Sequence, residues 1–302
     1  MKKIAISLVL VLFCAGASFA SAEFLAPWGY VWADAAHYRT NLERQDFNSW
    51  LGRGETKIGV NLLPLWADAA VQPYFAYYGA SSDDPHSWNN NNIIGGGVQI
   101  MPFKGIKEAD FLQDLKIFGE SLQVSWTPGM QDGDATDNHY KTDTRIGFDL
   151  WHEWNLPSIS KVEDTSMPWG ELWTDLSYRS TNFNYEGFGK FDNYVFFFQP
   201  KVGIYAVKLF ESISIEPYLA VNAVVSGREA KEVGEDYSYF NNVESGIGIR
   251  VRPFSKGYFL GGDVKALRKL TFYVETYAVS YLRDRGPVDN DMRFGVDFSI
   301  GR

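Results

Sequence analysis

Histidine, cysteine and close-set carboxylates are the side chains through which a chain of 302 residues would perform acid–base or metal chemistry. This sequence is poor in the first two. Its four histidines, His37, His86, His139 and His152, have no second His, Glu or Cys at the spacing of a zinc motif. His86 and His139 fall in polar stretches. His152 stands beside Glu153 in Trp151-His152-Glu153-Trp154, but neighbours in a strand point to opposite faces, so the two cannot act together. An interfacial aromatic-belt histidine is the expected role. No Ser-His or Asp-His constellation of the hydrolase kind is recognisable. Gly95-Gly96-Gly97 lacks the following helix that a phosphate loop needs and reads as close packing or a bend in a strand. The expectation is no enzymatic activity, no metal and no cofactor.

What remains is charge at alternate positions. In the second half the polar phase collects Asp175, Arg179, Lys201, Glu216, Glu244, Arg250, Arg252, Glu275, Arg293 and Asp297, five acids and five bases. The first half contributes Asp34, Lys57, Gln72, Gln99, Glu120, Arg145, Asp149 and Glu153. The elements that must position them show the same period of two. Phe196, Phe198, Val202 and Ile204 alternate with Gln199, Lys201 and Gly203, and Ile213, Ile215, Leu219 and Val221 alternate with Ser214, Glu216, Tyr218 and Asn222. This is the side-chain period of a β-strand. Gly, Asn, Asp, Ser and Pro clusters such as Arg285-Gly286-Pro287-Val288-Asp289-Asn290 separate the runs as hairpin connections.

The amino terminus reads as a signal peptide over 1–22: Lys2 and Lys3, an apolar run from Ile4 to Phe13, and small residues through Ala20-Ser21-Ala22. Its run is too short to span a bilayer as a helix, and no later apolar stretch approaches the roughly 20 residues required. Any membrane span over 23–302 must therefore be built from strands. The composition fits that reading. Aromatic residues make up 16% of a chain with 28 glycines and slightly polar mean hydropathy, as when lipid-facing and lumen-facing residues alternate and aromatic belts ring both interfaces. The net charge of -9 argues against a nucleic-acid partner, whose phosphates need a basic surface. The only cysteine, Cys14, lies inside the signal peptide.

The chain also repeats itself. Pro27-Trp28-Gly29 followed by WADAAHYRTNL is echoed by Pro168-Trp169-Gly170 followed by WTDLSYRSTNF, and Gln72-Pro73-Tyr74 by Glu216-Pro217-Tyr218. Met101-Pro102-Phe103 answers Arg252-Pro253-Phe254, and Asp143 to Asp149 answers Asp291 to Asp297. The fold class expected is all-β, a transmembrane antiparallel up-and-down β-barrel of about 12 strands from a tandem six-strand repeat. Repeat one covers 27–155, a connection 156–167, and repeat two 168–302. The strands begin near Tyr30, Glu55, Ala69, Asn91, Asp114 and Thr142, then near Glu171, Asn193, Ile213, Tyr239, Leu270 and Asp291. Two separate six-strand sheets would expose unpaired edges to lipid, so closure into one barrel is favoured.

Arg293-Phe294-Gly295-Val296-Asp297-Phe298-Ser299-Ile300 resembles the insertion signal on the last strand of outer-membrane barrels, although Gly301-Arg302 follows it. The barrel-assembly machinery and outer-membrane lipid are the partners this implies. PWGELWTDLSYRSTNF, FFFQPKVGIY, NNVESGIGIRVRPF and YLRDRGPVDNDMRFGVDFSIGR resemble the carboxyl-terminal barrel domain of the outer-membrane phage-adsorption protein A family and, more distantly, exopolysaccharide export porins. The resemblance covers 168–302 and extends through the repeat to 27–155. It implies a Gram-negative outer-membrane location and a link to an exopolysaccharide system. The long periplasmic helical domain of that family has no counterpart ahead of Pro27, so a stand-alone barrel working with separate proteins is expected.

Two functions follow. One is passage or export of a hydrophilic solute such as a polysaccharide, with the lumen charges setting selectivity. The other is a non-conducting surface receptor or anchor that binds a phage or partner protein through the loops Ser81 to Asn89 and Met130 to His139. The lumen charges themselves are expected to form a paired network that stiffens the barrel, since isolated charges there are costly.

Overall fold

The computed structural model describes residues 25–40, 48–65, 69–83, 90–126, 141–154, 167–181, 192–209, 212–227, 241–255, 258–259, 262–263, 267–282 and 289–301. Residues 1–22, 84–89, 130–139 and 156–166, which carry the signal-peptide, most of the loop-contact and most of the connection expectations, lie outside them.

Twelve long strands dominate: β1 (Pro27–Thr40), β2 (Asn48–Val60), β3 (Ala70–Ser82), β4 (Asn91–Ile100), β5 (Leu115–Trp126), β6 (Lys141–Trp154), β7 (Pro168–Thr181), β8 (Asp192–Ile204), β9 (Ile213–Ser226), β10 (Asn242–Arg252), β11 (Thr271–Tyr281) and β12 (Asp289–Ile300). Each pairs antiparallel with the next, and β12 pairs with β1 from Val31↔Ile300 to Thr40↔Asp291. The sheet is therefore closed and has no free edge among these strands. The start of β1, the end of β12 and the described residues 61–65, 101–114, 205–209, 253–255 and 267–270 lie at one mouth.

Strand β2 starts at Asn48, seven residues before the expected Glu55. The segment Asn48-Ser49-Trp50-Leu51-Gly52-Arg53-Gly54 has loop-like composition, yet it pairs with β1 as far as Arg39↔Asn48. Cross-strand hydrogen bonding along the whole of β1 overrides a weak local propensity.

Alternation sorts the side chains into two environments. Outward positions are apolar and exposed, as at the directly paired Leu219 and Ile247, 65% and 59% exposed. Aromatic rings gather near the strand ends on this face. His37, Trp50 and Phe294 form a three-ring cluster, with His37 stacked on Phe294 at 4.9 Å. At the opposite rim the short 3-10 turn Lys107–Leu112 packs outside β6. There the Phe111 and His152 rings meet T-shaped, and His152 also stacks on Trp154.

Inward positions combine polar groups with aromatic rings laid over glycines. Trp28 faces Gly59 and, in the second half, Trp169 faces Gly203. A Cβ on Gly203 would lie 2.5 Å from the Pro217 carbonyl and 2.6 Å from the Trp169 ring. Gly203→Val is therefore expected to cost about 1–3 kcal/mol through overpacking, read as a lower unfolding temperature in detergent. Gly52→Val is the control, because the nearest atom to its new Cβ is 3.8 Å away.

Candidate functional site: the charged lumen

All fifteen charged residues expected to form the lumen network stand on the inward phase of their strands. These are Asp34 on β1, Lys57 on β2, Glu120 on β5, Arg145 and Asp149 on β6, and Asp175 and Arg179 on β7. They continue with Lys201 on β8, Glu216 on β9, Glu244, Arg250 and Arg252 on β10, Glu275 on β11, and Arg293 and Asp297 on β12. A closed ladder with charge inside and Phe, Ile, Leu and Val outside satisfies every requirement of a hydrocarbon solvent and contradicts those of water. The chain is an outer-membrane β-barrel.

Two ion-pair groups occupy equivalent places in the two halves. Lys57 Nζ lies 2.8 Å from Glu120 Oε1, reaching past β3 and β4, and 3.5 Å from Glu55. The Tyr74 and Tyr78 hydroxyls donate to the same Glu120 oxygen at 2.8 and 2.7 Å. In the second half Lys201 Nζ lies 2.7 Å from Glu275 Oε1, reaching past β9 and β10, and Tyr218 donates to that oxygen at 2.6 Å. Beside each group an arginine is held by the aspartate two residues earlier. Arg145 donates through Nε and Nη2 to Asp143 at 2.9 and 2.6 Å, and Arg293 through Nε to Asp291 at 2.5 Å. Arg293 also reaches Glu244 at 2.6 Å. Two such bridges lie on opposite sides of the twelve-strand ring.

The strand pairs where the halves join carry aspartates face to face: Asp34↔Asp297 between β12 and β1, and Asp149↔Asp175 between β6 and β7. Like charges directly opposite are unfavourable, and each pair is compensated. Indole N–H groups donate to one member of each, Trp32 to Asp297 at 2.5 Å and Trp173 to Asp149 at 2.9 Å. Lys116 joins Asp149 at 3.1 Å. Arg53 and the Tyr273 hydroxyl hold Asp34 at 2.9 and 2.6 Å, while Arg179 lies 3.6 Å from Asp175. The cation has changed strands between the halves. Arg53 on β2 bonds Tyr38 on β1 at 2.7 Å, whereas Arg179 on β7 sits over the Phe197 ring on β8. By the repeat, Tyr38 corresponds to Arg179 and Arg53 to Phe197, so the charge is kept in place while its carrier is exchanged.

At the mouth bearing the chain ends the halves diverge. The first half places neutral amides there: Gln99 donates to Gln72 at 2.9 Å and Gln72 to Asn61 at 2.7 Å. The second half places ions. Glu216 is fully buried and accepts from Arg250 at 2.6 Å, Arg252 at 2.9 Å and Ser214 at 2.5 Å. Arg250 continues to Glu171 at 3.1 Å and lies over the Trp169 ring at 3.4 Å. Tyr205, just beyond β8, is buried against this cluster, and burial pushes its phenol up to about 12. It stays neutral at physiological pH.

The network includes partners not singled out from the sequence: Arg53, Glu55, Lys116, Asp143, Glu171 and Asp291. All of them lie on the inward phase, and a complete count of that phase would have found all but Arg53, which precedes the expected start of β2 at Glu55. Lys269 is different. It stands in the turn before β11, outside the ladder, yet its Nζ is 3.2 Å from Glu153 Oε1 on β6. No periodicity points to it.

No family model and no curated protein matches the chain. Solved structures similar to it include the β domain of the Bordetella autotransporter BrkA, at 12% identity and TM-score 0.34 over 92% of this chain and 100% of that one. The NanC porin, at 10% and 0.36, covers 89% of this chain and 98% of that one. The outer-membrane channel DcaP of Acinetobacter baumannii, at 10% and 0.30, covers 94% and 100%. At such scores the likeness adds nothing to the ladder, which shows a closed barrel by itself.

Proposed function

We propose that the barrel is a narrow polar passage for a hydrophilic solute of the oligosaccharide or polysaccharide kind. The observation that supports it is that two lumen cations keep accessible surface on the inner face despite their ion pairs. The Arg53 side chain is 43% exposed and Lys201 26% exposed, both on the inner face. An interior serving only as filler has no use for hydrated charge, whereas fixed charges along a wetted path set which solutes enter. Discrete ion-conducting steps are expected when the purified barrel is added to a planar bilayer. A folded barrel that never conducts would refute passage and favour an anchoring role, the reading that the fully buried Glu216 cluster supports. The Arg293 to Ile300 segment forms most of β12, and we assign it contact with the assembly machinery before closure on β1.

A further inference from the structure

We infer that the turn Leu267–Leu270 is a latch across the mouth that bears the chain ends, closed by the Lys269–Glu153 ion pair; this rests on the passage reading only for its physiological use. Strands β6 and β11 are five positions apart in a ring of twelve, close to opposite walls. With neighbouring strands about 4.8 Å apart, the ring is at least about 18 Å wide at its Cα atoms. Fully extended Lys and Glu side chains in an ion pair span only about 14 Å between Cα atoms. Side chains rooted on the two walls would fall short. Lys269 nevertheless has both Glu153 oxygens at 3.2 and 3.3 Å, so its turn, closed by the Leu270 N–H to Leu267 carbonyl bond of 3.0 Å, carries it inward over the opening.

The receiving wall is built for it. Glu153 and Glu171 are directly opposed on β6 and β7, an arrangement that needs a cation for each. Both come from across the lumen, Arg250 to Glu171 and Lys269 to Glu153. The two differ in permanence. Arg250 and Glu171 side chains are 7% and 13% exposed, whereas Lys269 and Glu153 are 36% and 23% exposed. A hydrated pair of the latter kind is weak and salt-screened, so it can exchange with water while the Arg250 bridge stays.

The repeat supplies the contrast. The corresponding connection after β4 carries the turn Lys107–Leu112, which stays on the outside of the barrel against β6, with Asp114 3.6 Å from His152. Of the described turns in the two homologous connections, only Leu267–Leu270 sends a side chain to the opposite wall. Symmetric stiffening would have used both.

The test uses the full chain carrying Cys14→Ser and refolded in detergent, with heat-modifiable gel migration confirming each barrel. Glu153→Gln and Lys269→Met are expected to raise the open fraction or the single-channel conductance at least severalfold in planar bilayers. The exchanged pair Glu153→Lys with Lys269→Glu is expected to return it toward the parent. A second readout is the rate at which a small cationic thiol reagent modifies Gln199→Cys on the inner face of β8. It should also rise severalfold in both single variants. If no barrel conducts but modification still accelerates, the latch stands and the passage reading falls. If conductance and modification rate are the same in parent and single variants, the latch is overturned.

Discussion

Replacing Glu216 by leucine is expected to destabilise the barrel by about 3–5 kcal/mol, the cost of stranding buried cations when one partner of an ion pair is removed. Glu216 has no solvent exposure and is the shared acceptor of Arg250 and Arg252. Leucine would leave Arg250 with Glu171 and Arg252 without this carboxylate, in a wall where Trp169 and Tyr205 already close the space. The corresponding Gln72→Leu removes a neutral amide from a chain of amides, which costs only about 1–3 kcal/mol. The pair of variants therefore measures charge against hydrogen bonding at the same place in the repeat. Urea unfolding in detergent, followed by the heat-modifiable gel shift, is the measurement. Equal losses for both would mean that the ionic character of the cluster contributes nothing beyond its hydrogen bonds.

The second large effect concerns the outer face. Ile247→Arg places a guanidinium on the lipid side of β10, opposite Leu219, at the most exposed apolar pair of the second half. In a bilayer such a substitution costs about 2–4 kcal/mol near the midplane. On a water-facing surface the same change would fall within about 0.5 kcal/mol of neutral. Magnitude thus decides which solvent covers this face. Unfolding in lipid vesicles should show the loss, and an unchanged midpoint would contradict the assignment of this face to lipid.

These expectations draw on different layers of information. The lipid-facing and lumen-facing phases were legible because alternation is a property of the strand backbone itself. Any residue two positions from Leu219 or Glu216 shares its face whatever the rest of the chain does. The repeat was legible for the same local reason, since Pro-Trp-Gly and Asp-x-Arg recur in homologous strands. Where composition misled, at Asn48 to Gly54, a polar and glycine-rich stretch was drawn into β2 by hydrogen bonds to a partner that local propensity does not register.

By itself, the sequence determined that the protein is a strand-built membrane barrel, roughly how many strands it has, and which charges face inward. Tertiary structure alone decided who meets whom. Lys57 finds Glu120 and Lys201 finds Glu275 only because closure and register bring strands three positions apart to the same height. Arg53 and Arg179 serve the same spot from different strands, an equivalence that exists only in space. Lys269 reaches Glu153 because a turn leans over the mouth. The physical reason is that facing is set residue by residue, whereas pairing across a lumen is set by the ring as a whole.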